Sequence, residues 1–102
     1  MRRGTTPTLP LIVDADIADW TVYASFKTNG EVYTFNNDRM QMTAEDDVTT
    51  ILLTLTQEET LAMHGSAEVQ VRAIKDGDAI ATEVKRVDVG RIIKEGVIHE
   101  ML

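Results

Sequence analysis

At 102 residues, with 43% apolar and 26% charged side chains, the chain has the size and composition of one globular domain. Its longest apolar runs, such as Ile51-Leu52-Leu53, fall far short of the ~20 residues a membrane-spanning helix needs, and a net charge of −7 disfavours a nucleic-acid partner. The lack of cysteine excludes disulfides, thiolate metal sites and thiol chemistry.

Residues 1–8 read as a flexible or partner-ordered arm ahead of a single domain over 9–102. Met1-Arg2-Arg3 is followed by Gly4-Thr5-Thr6-Pro7 and not by an apolar stretch. No signal peptide is read, and the chain is expected in the cytoplasm or in an assembly built there. Leu9 to Val13 is the first expected strand, with Pro10 confining it to a sheet edge or a strand start. Asp14 to Asp19 is a polar connection with Ile17 tucked inward.

From Trp20 the alternation is clean: Trp20, Val22, Ala24 and Phe26 face one way, Thr21, Tyr23, Ser25 and Lys27 the other. Asn29-Gly30 then predicts a tight hairpin into a partner strand over 31–35, with Tyr33 and Phe35 on one face and Val32 and Thr34 on the other. Asn36-Asn37-Asp38 is turn chemistry. Met40, Met42 and Ala44 mark a short strand, and residues 48–55 follow with Ile51, Leu53 and Leu55 on one face.

The period then changes. Thr56-Gln57-Glu58-Glu59 matches a capping box, so a short helix over 57–63 is expected to bridge two strands, ended by Gly65. Ala67 to Lys75 is a strand with Val69, Val71 and Ala73 inward. Asp76-Gly77 turns it into a long strand over 79–89, in which Ile80, Thr82 and Val84 share one parity and Val87 and Val89 take the other. That switch implies a β-bulge or a strand crossing between sheets. Residues 90–102 form a tail whose Ile92, Ile93, Val97, Ile98, Met101 and Leu102 need a surface to cover them, on this core or on a neighbouring copy. Together these elements predict an all-β fold, an Ig-like antiparallel β-sandwich with one short bridging helix; a small β-barrel is the alternative.

Reactive chemistry is poorly supported. Ser25 and Ser66 lie outside any Gly-x-Ser-x-Gly elbow, and His64 beside Gly65-Ser66 reads as a polar helix-end residue. His99 is 35 positions from His64, which is no metal-site spacing. Asp14-x-Asp16 opens like a calcium loop, but the loop's glycine position falls on Asp19 and its last glutamate on Ser25. No catalytic, cofactor or metal residue is expected, and no enzyme activity. An outward pair formed by Tyr23 opposite Tyr33 is the one candidate sugar platform. Charge is uneven: acids cluster at Asp14, Asp16 and Asp19, at Glu45-Asp46-Asp47 and at Glu58-Glu59, while Arg2, Arg3, Lys85, Arg86, Arg91 and Lys94 gather the bases. Either these are solvated faces or the basic end of one copy meets an acidic rim of the next.

Four segments carry a family resemblance: Met1-Arg2-Arg3-Gly4-Thr5-Thr6-Pro7-Thr8, the stretch from Val22 to Gly30, Leu53-Thr54-Leu55-Thr56-Gln57-Glu58-Glu59-Thr60-Leu61, and the close from Val87 to Ile98. In this order they span nearly the whole chain. They resemble small prophage-encoded structural proteins of Gram-positive bacteria, which look similar to the β-sandwich modules of phage tails and baseplates. The resemblance implies a non-enzymatic virion role. It also implies other phage structural proteins and a second copy as partners, and residence in the cytoplasm during assembly and then in the tail. Arg2, Arg3, Tyr23, Tyr33, Arg86 and Arg91 are the expected protein-contact residues. A carbohydrate-binding or host-factor-binding module is the alternative.

Overall fold

Eight strands and one short helix follow in chain order: β1 (Thr8–Val13), β2 (Thr21–Thr28), β3 (Glu31–Phe35), β4 (Met40–Glu45), β5 (Val48–Thr54), α1 (Gln57–Leu61), β6 (Gly65–Lys75), β7 (Asp78–Ala81) and β8 (Lys85–Val89), with a 3-10 turn at Asn37–Arg39. This is a computed structural model, and it describes residues 1–101. The fold is all-β. One antiparallel sheet has the order β1-β5-β4; the other runs β3-β2-β6, with β7 and β8 both on the far edge of β6. Among the described residues no ladder joins the two sheets, so they do not close into a barrel.

Turn chemistry fixes the register. Asn29-Gly30 and Asp76-Gly77 are left-handed at both positions (φ 52° and 80°, 50° and 86°), the geometry of a two-residue hairpin whose twist matches its strands. Asp46-Asp47 makes the same turn between β4 and β5 with no glycine to ease it (φ 53° and 62°). Once the hairpins are set, alternation does the rest. Val22, Ala24 and Phe26 of β2 and Val69, Val71 and Ala73 of β6 turn to the same core as Val13, Ile51 and Leu53 of the other sheet. Phe26 and Phe35 meet edge to face, ring centres 5.7 Å apart. Ile17 is buried as expected, because its N–H donates to the buried Thr49 hydroxyl (2.9 Å), which in turn donates to the Ala15 carbonyl (2.7 Å).

The edges carry their own signatures. The Pro7 carbonyl accepts from the Leu55 N–H. By alternation Leu9, Leu11 and Val13 also turn their backbones to β5, which leaves Pro10 facing the open side of β1, where its missing N–H matters least. The long strand expected over 79–89 is broken. Arg72 faces Ala81 and Val69 faces Lys85, three steps along β6 against four along its partner, so one extra residue is inserted at 82–84. That is a β-bulge; β7 and β8 share one edge of β6 and do not change sheets.

The helix starts as expected, with the Thr56 and Glu59 side chains each accepting the other's backbone N–H. It ends at Leu61, two residues short of the expected 63, and Met63 turns into the core. Of the arm expected over residues 1–8, residues 1–5 lie against the chain's own surface and Thr8 already opens β1. The Met1 amine donates to the Asp88 carbonyl (3.1 Å), Gly90 N–H to the Met1 carbonyl (2.7 Å) and Arg3 N–H to the Gly90 carbonyl (3.0 Å). They add a short parallel rung beyond β8 because that strand's outward backbone groups are otherwise unpaired. In the tail Ile92 turns inward, whereas Ile93, Ile98 and Met101 stay exposed; Leu102 lies outside the described residues.

Candidate functional site

The outer face of the five-stranded sheet follows from the pleat. Tyr23, Ser25 and Lys27 of β2, Val32 and Thr34 of β3, and Arg72 and Ile74 of β6 all point away from the core. Between them runs a shallow groove of about 350 Å³, lined by Tyr23, Ser25, Thr34, Arg72, Ile74 and Ala79. Tyr23 stands directly opposite Arg72, and the Ser25 and Thr34 hydroxyls bond across the hairpin at 3.0 Å. Tyr23 and Ile74 remain 42% and 44% exposed at the groove, while Val32 (59%) sits farther along the face opposite Lys27, so apolar and charged side chains share this face.

Tyr33 is not on this face. The two-residue turn sets Tyr33 opposite Phe26, and Phe26 is buried, so Tyr33 leans over the edge of the core. Its hydroxyl donates to Glu31 Oε2 at 2.6 Å, and that carboxylate pushes the phenol above its ordinary value of 10. The expected pairing of Tyr23 with Tyr33 is therefore corrected: the two rings lie on opposite faces, and no two-tyrosine platform forms.

The second surface is the seam where the chain's termini meet. Arg2 Nη1 donates to the Arg91 carbonyl at 2.7 Å, with its guanidinium laid over Gly90, where a Cβ would stand 3.1 Å from the guanidinium carbon. Arg3 is buried. Its Nε and Nη2 both donate to the Leu61 carbonyl (3.2 and 2.7 Å), the last of α1, and its Nη1 to Glu95 Oε1 (2.6 Å). Arginine suits this place because its planar fork can serve a helix-end carbonyl and a carboxylate at once. The Arg3 charge holds the Glu95 carboxyl below the usual range. So Arg3, expected at an external contact, is engaged inside the fold. Arg86 and Arg91 are exposed, as is Tyr23.

Strand pairing also sorts charge along the molecule. Val13 pairs with Thr49, Glu45 with Val48, Thr21 with Ile74, and Lys75 with Asp78. These pairs bring Asp14, Asp16, Asp19, Asp46, Asp47, Asp76 and Asp78 to one end. Lys75 bonds Asp19 there, an ion pair that lowers the Asp19 carboxyl and raises the Lys75 amine. The opposite end holds Arg2, Arg3, Arg39, Arg91 and Lys94. Two of these are neutralised in place: Arg3 by Glu95, and Arg39 by a two-pronged pair to Glu59 (2.7 and 2.8 Å) while it also covers the Phe35 ring at 5.0 Å.

Of the residues weighed for chemistry, His64 and Ser66 meet only through backbone, Ser66 N–H donating to the His64 carbonyl at 2.8 Å. Among the described residues no three His, Cys, Asp or Glu side chains converge as metal ligands, and no helix is long and apolar enough to cross a membrane. The chain matches no family model, no curated protein and no solved structure.

Proposed function

We propose that this chain is an Ig-like β-sandwich and a non-enzymatic structural subunit of a phage or prophage virion, a component of the tail or its baseplate. It works by contact with copies of itself or with other tail proteins. The strand order supports the fold reading. Taking β1, β5 and β4 as strands B, E and D, and β3, β2, β6 and β7–β8 as C′, C, F and G, both layers agree with the immunoglobulin arrangement, less the first strand beside β1.

The observation that carries the functional reading is the outer face of the five-stranded sheet, where the exposed Tyr23 and Ile74 stand on regular strands around a shallow groove. Exposed apolar side chains around a groove on rigid strands are what a docking face needs, and they stay costly in water until a partner covers them. The sequence resemblance to prophage structural proteins supplies the setting. Particles prepared from an induced lysogen test it: the chain is expected to co-purify with tails and to be visible there by immunogold labelling. Recovery only in the particle-free fraction, or a turnover assay traced to this polypeptide, defeats the reading.

A further inference from the structure

We infer that copies of this chain join end to end, with the segment Arg91–Lys94 of one copy entering the outer-face groove of the next. This deepens the structural-subunit reading and rests on its self-association arm.

The donor is built in advance. Arg2 fixes the backbone at Arg91, and Arg3 holds the Glu95 side chain, so the three residues between are held from both sides. Ile92 turns in, its Cδ1 reaching to 3.1 Å from where a Cβ on Gly4 would stand. Ile93 is thereby turned out and fully exposed, flanked by the exposed cations Arg91 and Lys94. An isoleucine held out on an anchored segment loses little conformational freedom when it docks, which favours binding.

The acceptor has matching chemistry. Tyr23, Ile74 and Ala79 give the groove its apolar floor, and its volume of about 350 Å³ leaves ample room for one aliphatic side chain. Asp76 stands in the turn that joins Ile74 to Ala79, and Arg72 lies two residues before Ile74 on β6. Asp76, at the acidic end of the molecule, attracts Arg91 and Lys94 at one end of the groove while Arg72 repels them at the other, which sets the direction of entry.

Geometry keeps the two parts in different molecules. The donor leaves the fold beyond Val89, which pairs with Gly65 at the start of β6, whereas the groove lies around Ile74 near its end. Nine residues of strand separate these points, about 30 Å. Each copy therefore offers one donor and one acceptor at opposite ends, a heterologous contact that closes as a ring or runs on as a file.

Light scattering across a concentration series reads the association. The wild-type chain is expected to gain mass with concentration. Ile93→Asp, at a fully exposed position, weakens association about tenfold or more, as loss of a central apolar anchor does. Ile74→Asp does the same from the acceptor side. A one-to-one mixture of these two variants, each weakened alone, forms a dimer, because one intact donor and one intact groove survive between them. Lys94→Glu weakens association, and mixing it with Asp76→Lys restores it without touching the apolar floor. A wild-type chain monomeric at every concentration overturns the inference, as does an Ile93→Asp variant that associates normally or a mixture that fails to dimerise. Co-purification of a strictly monomeric chain with phage tails would refute the self-contact and leave the structural-subunit reading standing.

Discussion

Arg3 and Glu95, 92 positions apart in sequence, bond at 2.6 Å on the side of the fold where the first and last segments meet. The same guanidinium holds the Leu61 carbonyl, and the Arg3 backbone holds Gly90, so one residue ties the helix, the end of β8 and the tail together. Replacing it with alanine removes charge-assisted bonds and leaves a helix-end carbonyl without its partner. Arg3→Ala is expected to cost about 2 kcal/mol, read from urea denaturation midpoints. Arg3→Lys recovers only part, since an ammonium cannot reproduce the fork. Glu95→Gln costs less than either, because Glu95 is exposed. Arg3→Ala as stable as wild type shows that the seam contributes nothing.

The ion pairs predict a stability plateau with falls on both sides. Glu59, Glu95 and Asp19 are all lowered in the folded chain, through bonds to Arg39, Arg3 and Lys75 respectively, from ordinary values of 4.5 and 3.8. A carboxyl that is lowered on folding contributes stability that is complete above its unfolded value and disappears as pH drops through its folded one. Unfolding free energy is therefore expected to decline below about pH 4.5 and to do so less steeply in Glu59→Gln. Lys75 is raised above 10.5, so its contribution is lost as pH climbs through the raised value. Denaturant midpoints measured from pH 2 to 11 check both limbs. High salt flattens them, since the pairs are largely solvent-exposed.

The turn Asp46-Asp47 offers a stabilising change. Both residues hold left-handed angles that an L side chain adopts at a cost of roughly 1–2 kcal/mol, and two adjacent aspartates repel as well. Asp47→Gly keeps the two-residue turn and relieves the second position, where the other two hairpins carry glycine. An increase of about 1 kcal/mol is expected from thermal or chemical unfolding, less what the greater freedom of glycine costs the unfolded chain. A loss of stability would mean that the Asp47 side chain contributes more than its backbone strain takes away.

Much of this architecture is legible in the residues. Asn29-Gly30 and Asp76-Gly77 announce two hairpins, the parity switch between Val84 and Val87 announces the bulge, and Thr56 with Glu59 announces the helix start. What fails is instructive. The Tyr23–Tyr33 platform ignored the count across a two-residue turn, which sets Phe26 opposite Tyr33 and sends the two tyrosines to opposite faces. The engagement of Arg3 could not be read locally. It depends on the tail returning past Leu61 to bring Glu95 alongside, a contact between chain ends that no periodicity encodes. Arg39 was invisible for the same reason, since its partners Glu59 and Phe35 come from different elements. The gathering of acids at one end likewise needs the strand pairing before separate clusters become a pole.

The separation of the two tyrosines has a direct spectroscopic consequence. They are the chain's only phenols, so Tyr23→Phe leaves Tyr33 as the single one to titrate. Its hydroxyl donates to the Glu31 carboxylate two residues away on the same strand face, and ionising it would set two negative charges in contact. The ultraviolet titration of Tyr23→Phe is expected to have its midpoint above 10, and adding Glu31→Gln is expected to bring it back toward 10. Both changes lie at the sheet surface, so the folded signal survives for comparison. A midpoint indifferent to Glu31 would mean that the Tyr33 hydroxyl does not bond that carboxylate.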